Sequence, residues 1–200
     1  MSPRPATDIA ALRAKLLRHA RAVIARDGVD GLTMRALAGE AGTSVGLSYK
    51  AFASRDDLLW ELTWSSLVDL AGQLDEWAAQ PGGELAGRLM EFLDIHRASQ
   101  APDLVDHLTR GARREELFRA AVDAGITRSW ATTMTEFLRA RQQAGYVRDD
   151  VDVEAFGFII TAAMHHVLVT EEPFSVPDRP TLARYIAEVA AHITTRKGHR

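Results

Sequence analysis

One stretch, Thr33 to Phe52, limits the architectures open to this chain more than any other. It reads as two short helices. The first starts at Thr33, whose hydroxyl can cap the free amides of a first turn, buries Leu37 and Ala38, and stops near Gly42. The second starts at Ser44 and closes with Phe52. Ala41-Gly42-Thr43 joins them, and a glycine in such a turn fits the helix-turn-helix plan. Two helices this short cannot enclose a core. They need a bed, and the flanking segments supply one: a helix over Asp8 to Arg26 that ends at Gly28 and Gly31, and a long helix capped by Ser54. Leu37, Ala41, Val45, Tyr49 and Phe52 can face that bed in part.

The rest of the chain is also periodic at helical spacing. Alanine, the best helix former, supplies 32 residues, and strand-type alternation is nearly absent. The fold class is therefore all-α. After the helix from Ser54 to about Ala79, helices are expected over Glu84 to Ser99, Asp103 to Thr109, Arg113 to Ala144 with a break at Gly125, Val153 to Thr170, and Thr181 to Thr195. Pro102 breaks the first of these, and the three prolines between Glu171 and Pro180 mark a loop. The tail Arg196 to Arg200 is expected to fray.

Charge divides the chain. Residues 1–55 hold nine Lys or Arg and four acids, a net of +5, whereas the remaining 145 hold fifteen bases and twenty-three acids, a net of −8. A basic head on an acidic body suits a polyanionic partner. The absence of cysteine excludes disulfides and thiolate chemistry. The longest stretch without Asp, Glu, Lys or Arg, Ala155 to Thr170, has sixteen residues, short of the ~20 a bilayer requires. A cytoplasmic protein with no membrane partner is expected.

The head resembles the TetR family of bacterial transcriptional regulators. The resemblance runs from Leu17 to Leu62, about a quarter of the chain. Its landmarks are Gly28 and Gly31, Thr33-Met-Arg-Ala-Leu-Ala38, Ala41-Gly-Thr-Ser44, Gly46, Tyr49, Phe52, Ser54-Arg55 and Leu58-Leu59. A weaker likeness covers Phe137 to Asp152, which resembles the family's turn into its penultimate helix. The resemblance implies an N-terminal helix-turn-helix domain (residues 1–55, motif 33–52), a C-terminal ligand-binding and dimerising bundle (residues 56–200), and repression. The pattern departs in places. Leu47 and Ser48 stand in the reverse of the usual order, where a small hydroxyl residue precedes an apolar one; Ala51 replaces a frequent His, and Arg55 a usual Lys.

A recognition helix enters the major groove end-on, which places Thr43, Ser44, Val45 and Leu47 nearest the base edges. Val45 and Leu47 donate no hydrogen bond but can pack on thymine methyls. Tyr49 and Lys50 can reach phosphates, Thr33 and the first-turn amides behind it can hold one, Arg35 can reach backbone or base, and Arg55 is placed near the next phosphate. Double-stranded DNA carrying a palindromic operator is the expected partner, read by a homodimer.

The last two long helices are the candidate dimer seam, since Val153 to Thr170 is apolar nearly all round and the final helix has one apolar stripe (Leu182, Tyr185, Ile186, Val189, Ile193). Leftover apolar faces point to a cavity lined by Trp60, Trp64, Leu67, Leu93, His96, Leu108, Trp130, Met134, Phe137 and His165, suited to an apolar or aromatic small molecule. No cofactor is implied, and no enzyme is expected. Gly42-Thr-Ser-Val-Gly46 matches a nucleophile-elbow pattern but has no strand before it, and Glu188 with His192 lacks a third metal ligand. Two other classes stay open: a helical carrier or enzyme whose head has lost DNA binding, and a structural adaptor.

Overall fold

A computed structural model describes residues 8–170 and 173–195. The expected fraying of Arg196 to Arg200 lies outside the described residues. Among them the chain forms α1 (Ile9–Gly31), α2 (Met34–Glu40), α3 (Val45–Ala51), α4 (Arg55–Ala78), α5 (Leu85–Ala98), α6 (Ala101–Thr109), α7 (Arg114–Asp123), α8 (Trp130–Gln143), α9 (Val153–Val169) and α10 (Arg179–Ile193). The all-α reading holds; strand pairing among the described residues is limited to one bridge between Val147 and Thr194.

The chain divides into two compact units. One runs through Val68 and takes in Gln100–Asp123, so that α6 and α7 join the helix-turn-helix; the other takes Asp69–Ser99 and the chain from Ala124 onward. The helix α4 contributes to both.

In the first unit the ends of the short helices follow local chemistry. The Thr33 hydroxyl accepts from the Ala36 amide at 3.0 Å, and the Ser44 hydroxyl from the Leu47 amide at 3.2 Å. Between them Gly42 takes φ 60°. The Thr43 amide then reaches the Ala38 carbonyl at 2.9 Å and the Gly42 amide that of Gly39 at 3.2 Å, which satisfies two of α2's last carbonyls. Gly28, at φ 72° and ψ 175°, breaks α1 near its end instead of closing it, and a further turn reaches Gly31. Leu16, Val23, Leu32, Leu37, Phe52, Leu58, Leu62 and Leu104 form the core beneath. Truncating a side chain as fully enclosed as Leu37 costs about 2–5 kcal/mol. Val45 and Tyr49 do not face this bed: the inner side of α3 is Ser48, Ala51 and Phe52, which leaves Val45 and Tyr49 38% and 52% exposed.

In the second unit α8 packs on α9 and α5 on α10. Gly157 permits the first contact, because a Cβ there would lie 2.3 Å from the Thr135 hydroxyl and 3.0 Å from its backbone nitrogen. The buried Arg141 guanidinium donates to the Pro81, Gly82 and Gly83 carbonyls at 2.5, 3.1 and 2.8 Å, tying down the connection between α4 and α5. Pro102 starts α6 within its first turn, where a missing N–H leaves nothing unpaired, and α5 has already ended at Ala98. Asp178 caps α10 two residues earlier than the expected start.

Candidate nucleic-acid interface

The outward side of the helix-turn-helix is set by what α3 turns inward. Ser48, Ala51 and Phe52 are buried, so Ser44, Val45, Gly46, Tyr49 and Lys50 are exposed, with Thr43 and Leu47 half-buried at the margin. Thr33 and Arg35 are exposed on α2. Eight of the nine residues expected at DNA are therefore exposed or half-buried in this unit.

Arg55 differs. It is half-buried, and its Nε and one terminal nitrogen donate to the Leu32 and Val29 carbonyls at 2.5 and 2.9 Å. This guanidinium holds the α1–α2 connection against the start of α4. Several other cations of the basic head are engaged inside the unit as well. Arg13 donates to the Ala51 carbonyl at 2.5 Å, pairs with Glu61, and lies 4.5 Å from the Phe52 ring centroid. Arg21 bonds the Ser65 hydroxyl, and Arg26 pairs with Asp27 and Glu40. Arg35 and Lys50 are exposed and have no ion pair or hydrogen bond among the described residues. Lys15 and Arg18 on α1 likewise have none among the described residues, so the positive charge available to a polyanion is smaller than the sequence tally suggests and is shared among α1, α2 and α3.

Two features of α3 were missed by the sequence reading. Gly46 is an exposed helical glycine whose Cβ would meet nothing closer than the Ser44 hydroxyl at 4.0 Å, so nothing within the fold requires it. A glycine inside a seven-residue helix was the available signal. The second is Ser48, whose fully buried hydroxyl has no hydrogen-bond partner. The reversal of Leu47 and Ser48 put the polar residue inside and the apolar one at the rim.

The residues expected to line a ligand cavity divide between the units. Trp60, Trp64 and Leu67 are half-buried and Leu108 is buried in the first, where the Arg113 guanidinium lies 4.5 Å from the Trp60 ring centroid. In the second, Leu93, His96, Met134 and Phe137 are buried, Trp130 is half-buried and His165 exposed. The His96 ring lies 4.0 Å from Trp130 and 4.4 Å from Phe92, and Trp130 lies 5.6 Å from His165. Phe137 stacks instead on Trp77 at 4.1 Å. The His96 Nδ1 donates to the Phe92 carbonyl at 2.8 Å, and its Nε2 is buried without a partner. Burial holds this imidazole below its ordinary pKa, against the smaller opposing pull of that hydrogen bond.

The single apolar stripe of α10 and the nearly all-round apolar surface of α9 each resolve into two faces. Gly157, Ile160, Met164, Leu182, Ile186 and Ile193 point inward. Phe158, Ile159 and Val169 stay 67%, 61% and 55% exposed, as does Tyr185 at 46%. His192 bonds the Glu188 carbonyl through Nδ1 at 2.7 Å. Among the described residues no helix is long and apolar enough to cross a membrane, and no group of three or more His, Asp or Glu is placed to hold a metal ion.

A glycine-turned pair of short helices, bedded on a core and presenting one face of the second, defines a helix-turn-helix unit. The profile described as bacterial regulatory proteins, tetR family, matches residues 16–62. This segment of the chain is therefore similar to the DNA-binding segment of the TetR family of transcriptional regulators. It is 26% identical over 169 residues to the HTH-type transcriptional repressor AcnR of Corynebacterium jeikeium, covering 81% of this chain and 82% of that protein. Two solved structures share the fold. One is a transcriptional regulator of Saccharomonospora viridis in complex with choline (TM-score 0.66, 20% identity, 94% of this chain and all of that one). The other is the ketosteroid transcriptional regulator KstR2 of Mycobacterium tuberculosis (TM-score 0.57, 21% identity, 96% of this chain and all of that one).

Proposed function

We propose that the protein is a cytoplasmic, ligand-responsive repressor that binds a palindromic operator as a homodimer and catalyses no reaction. The observation that carries this reading is the outward side of α3, with Lys50 and Arg35 unengaged beside it. Residues 1–55 act as the DNA-binding domain. Thr33, Arg35, Thr43, Ser44, Val45, Leu47, Tyr49 and Lys50 are assigned to DNA, and Arg55 positions them by clamping the backbone behind Thr33. Residues 56–200 dimerise and bind the effector. Dimerisation through α9 and α10 gives Phe158, Ile159, Val169 and Tyr185 a partner, which an isolated chain leaves in water. The effector is an apolar or aromatic small molecule, to which Leu93, His96, Trp130, Met134, Phe137 and His165 are assigned within the second unit, and the choline complex of the S. viridis regulator supports a small-molecule role for such a fold. An effector that binds the DNA-incompetent conformation more tightly lowers operator affinity by that ratio of affinities.

Fluorescence anisotropy with duplexes from upstream of the protein's own and neighbouring genes tests the reading. Binding is expected to weaken steeply with salt. Lys50→Ala is expected to weaken all sequences alike and to lower the salt slope by about one. Affinity that does not change with salt contradicts the proposal.

A further inference from the structure

We propose that α3 reads its half-site through an apolar edge, Val45, Gly46 and Leu47, that packs on the C5 methyl groups of thymine in the major groove. The inference rests on the DNA-binding reading above and names what that surface recognises.

Most of the polar alternatives are partly or wholly engaged elsewhere. The Thr33 and Ser44 hydroxyl oxygens accept from helix amides, the Ser48 hydroxyl is enclosed, and the Arg55 guanidinium is turned onto backbone carbonyls. Tyr49 and Lys50 lie further along α3, and Arg35 lies on α2. Thr43, half-buried, precedes the helix; within the first turn of α3 itself what remains is an exposed valine, a half-buried leucine and the glycine between them.

That glycine supplies the second observation. A helical glycine is less stable than alanine by about 1 kcal/mol. No neighbour in the fold crowds position 46, so the fold would accept a side chain there. The absence of a side chain matters only to something approaching from outside, and it lets a groove edge close onto Val45 and Leu47 on either side. Of the four bases only thymine shows a methyl group in the major groove. Against guanine, adenine or cytosine the same aliphatic groups would strip water from hydrogen-bonding edges and replace it with nothing. Thymine is therefore the base this edge selects.

The test begins with an operator selected by the full-length protein from a random duplex pool. Each thymine is then replaced by deoxyuridine, which lacks only the methyl. One or two positions per half-site are expected to lose about fourfold in affinity each, the worth of burying one methyl group. Leu47→Ala and Val45→Ala should each abolish the deoxyuridine penalty at one position and leave the other. Gly46→Ala should melt at the same or a higher temperature than the parent, yet bind the operator at least tenfold more weakly. Deoxyuridine duplexes bound as tightly as the parent operator overturn the inference, as do penalties that persist in both variants or a Gly46→Ala protein with parental affinity. A pool that returns no preferred duplex removes the DNA-binding reading and this inference together; a selected operator indifferent to deoxyuridine removes this inference alone.

Discussion

Replacing Ser48 by alanine isolates the consequence of the Leu47-Ser48 reversal. The Ser48 side chain is fully enclosed, and its oxygen has no partner within hydrogen-bonding reach. A buried hydroxyl left unpaired costs about 1–3 kcal/mol. Alanine removes that penalty and is the better helix former by a few tenths of a kcal/mol. Opposing these, the dispersion contacts of one oxygen atom are lost, at roughly 0.1–0.2 kcal/mol each. The expected net gain is about 1–2 kcal/mol. It should appear as a higher urea midpoint at an unchanged slope, and as a melting temperature raised by about 2–4 °C per kcal/mol for a chain of this size. Both proteins are to be compared at one concentration, since a proposed dimer would couple stability to concentration. Because Ser48 faces the core, operator affinity should stay within twofold. A destabilised Ser48→Ala protein, or one that binds DNA tenfold more weakly, would refute the assignment of Ser48 to the interior.

Three further outcomes follow from the geometry. Arg55→Ala leaves the Val29 and Leu32 carbonyls without their guanidinium; it should lower stability by about 1–3 kcal/mol by urea denaturation, and Arg55→Lys should restore less than half, since one ammonium cannot span both sites. Ile159→Glu, on an exposed position of α9, should shift sedimentation from dimer to monomer at micromolar concentration and leave the helical circular dichroism intact; a persistent dimer places the seam elsewhere. His96 is held below its ordinary value of 6.5 by burial, so the unfolded chain takes up the proton first as pH falls. Stability should therefore be full above pH 6.5 and decline below it toward the lowered native value, and His96→Phe should flatten that decline in urea titrations at pH 7.5 and 5.5.

The helix ends were legible because their chemistry is local. Thr33, Ser44 and Ser54 cap by hydroxyls within three residues of the amides they serve, and Gly42, Gly125 and Gly145 take the positive φ that stops a helix. The destinations of long side chains were not legible. Arg13 meets Glu61 and Arg55 meets Val29, so a cation counted as available to DNA is engaged by a group far away in sequence. Periodicity likewise gave α10 one stripe, because a buried and an exposed apolar face that lie side by side merge in a single-period reading: Leu182 and Ile186 turn inward, Tyr185 and Val189 outward. Tyr49 was ambiguous for a related reason. An aromatic ring suits a core, and only the burial of Ser48 and Ala51 fixes which way α3 is turned.

The central claim is that two outward α3 helices, carried by a paired molecule, occupy two half-sites on one duplex. Sedimentation of the full-length protein with a selected operator, repeated across salt concentrations, tests it most directly. Two chains per duplex at saturation, with affinity falling steeply as salt rises, is the predicted result. A complex of one chain per duplex, or binding indifferent to salt, would contradict it.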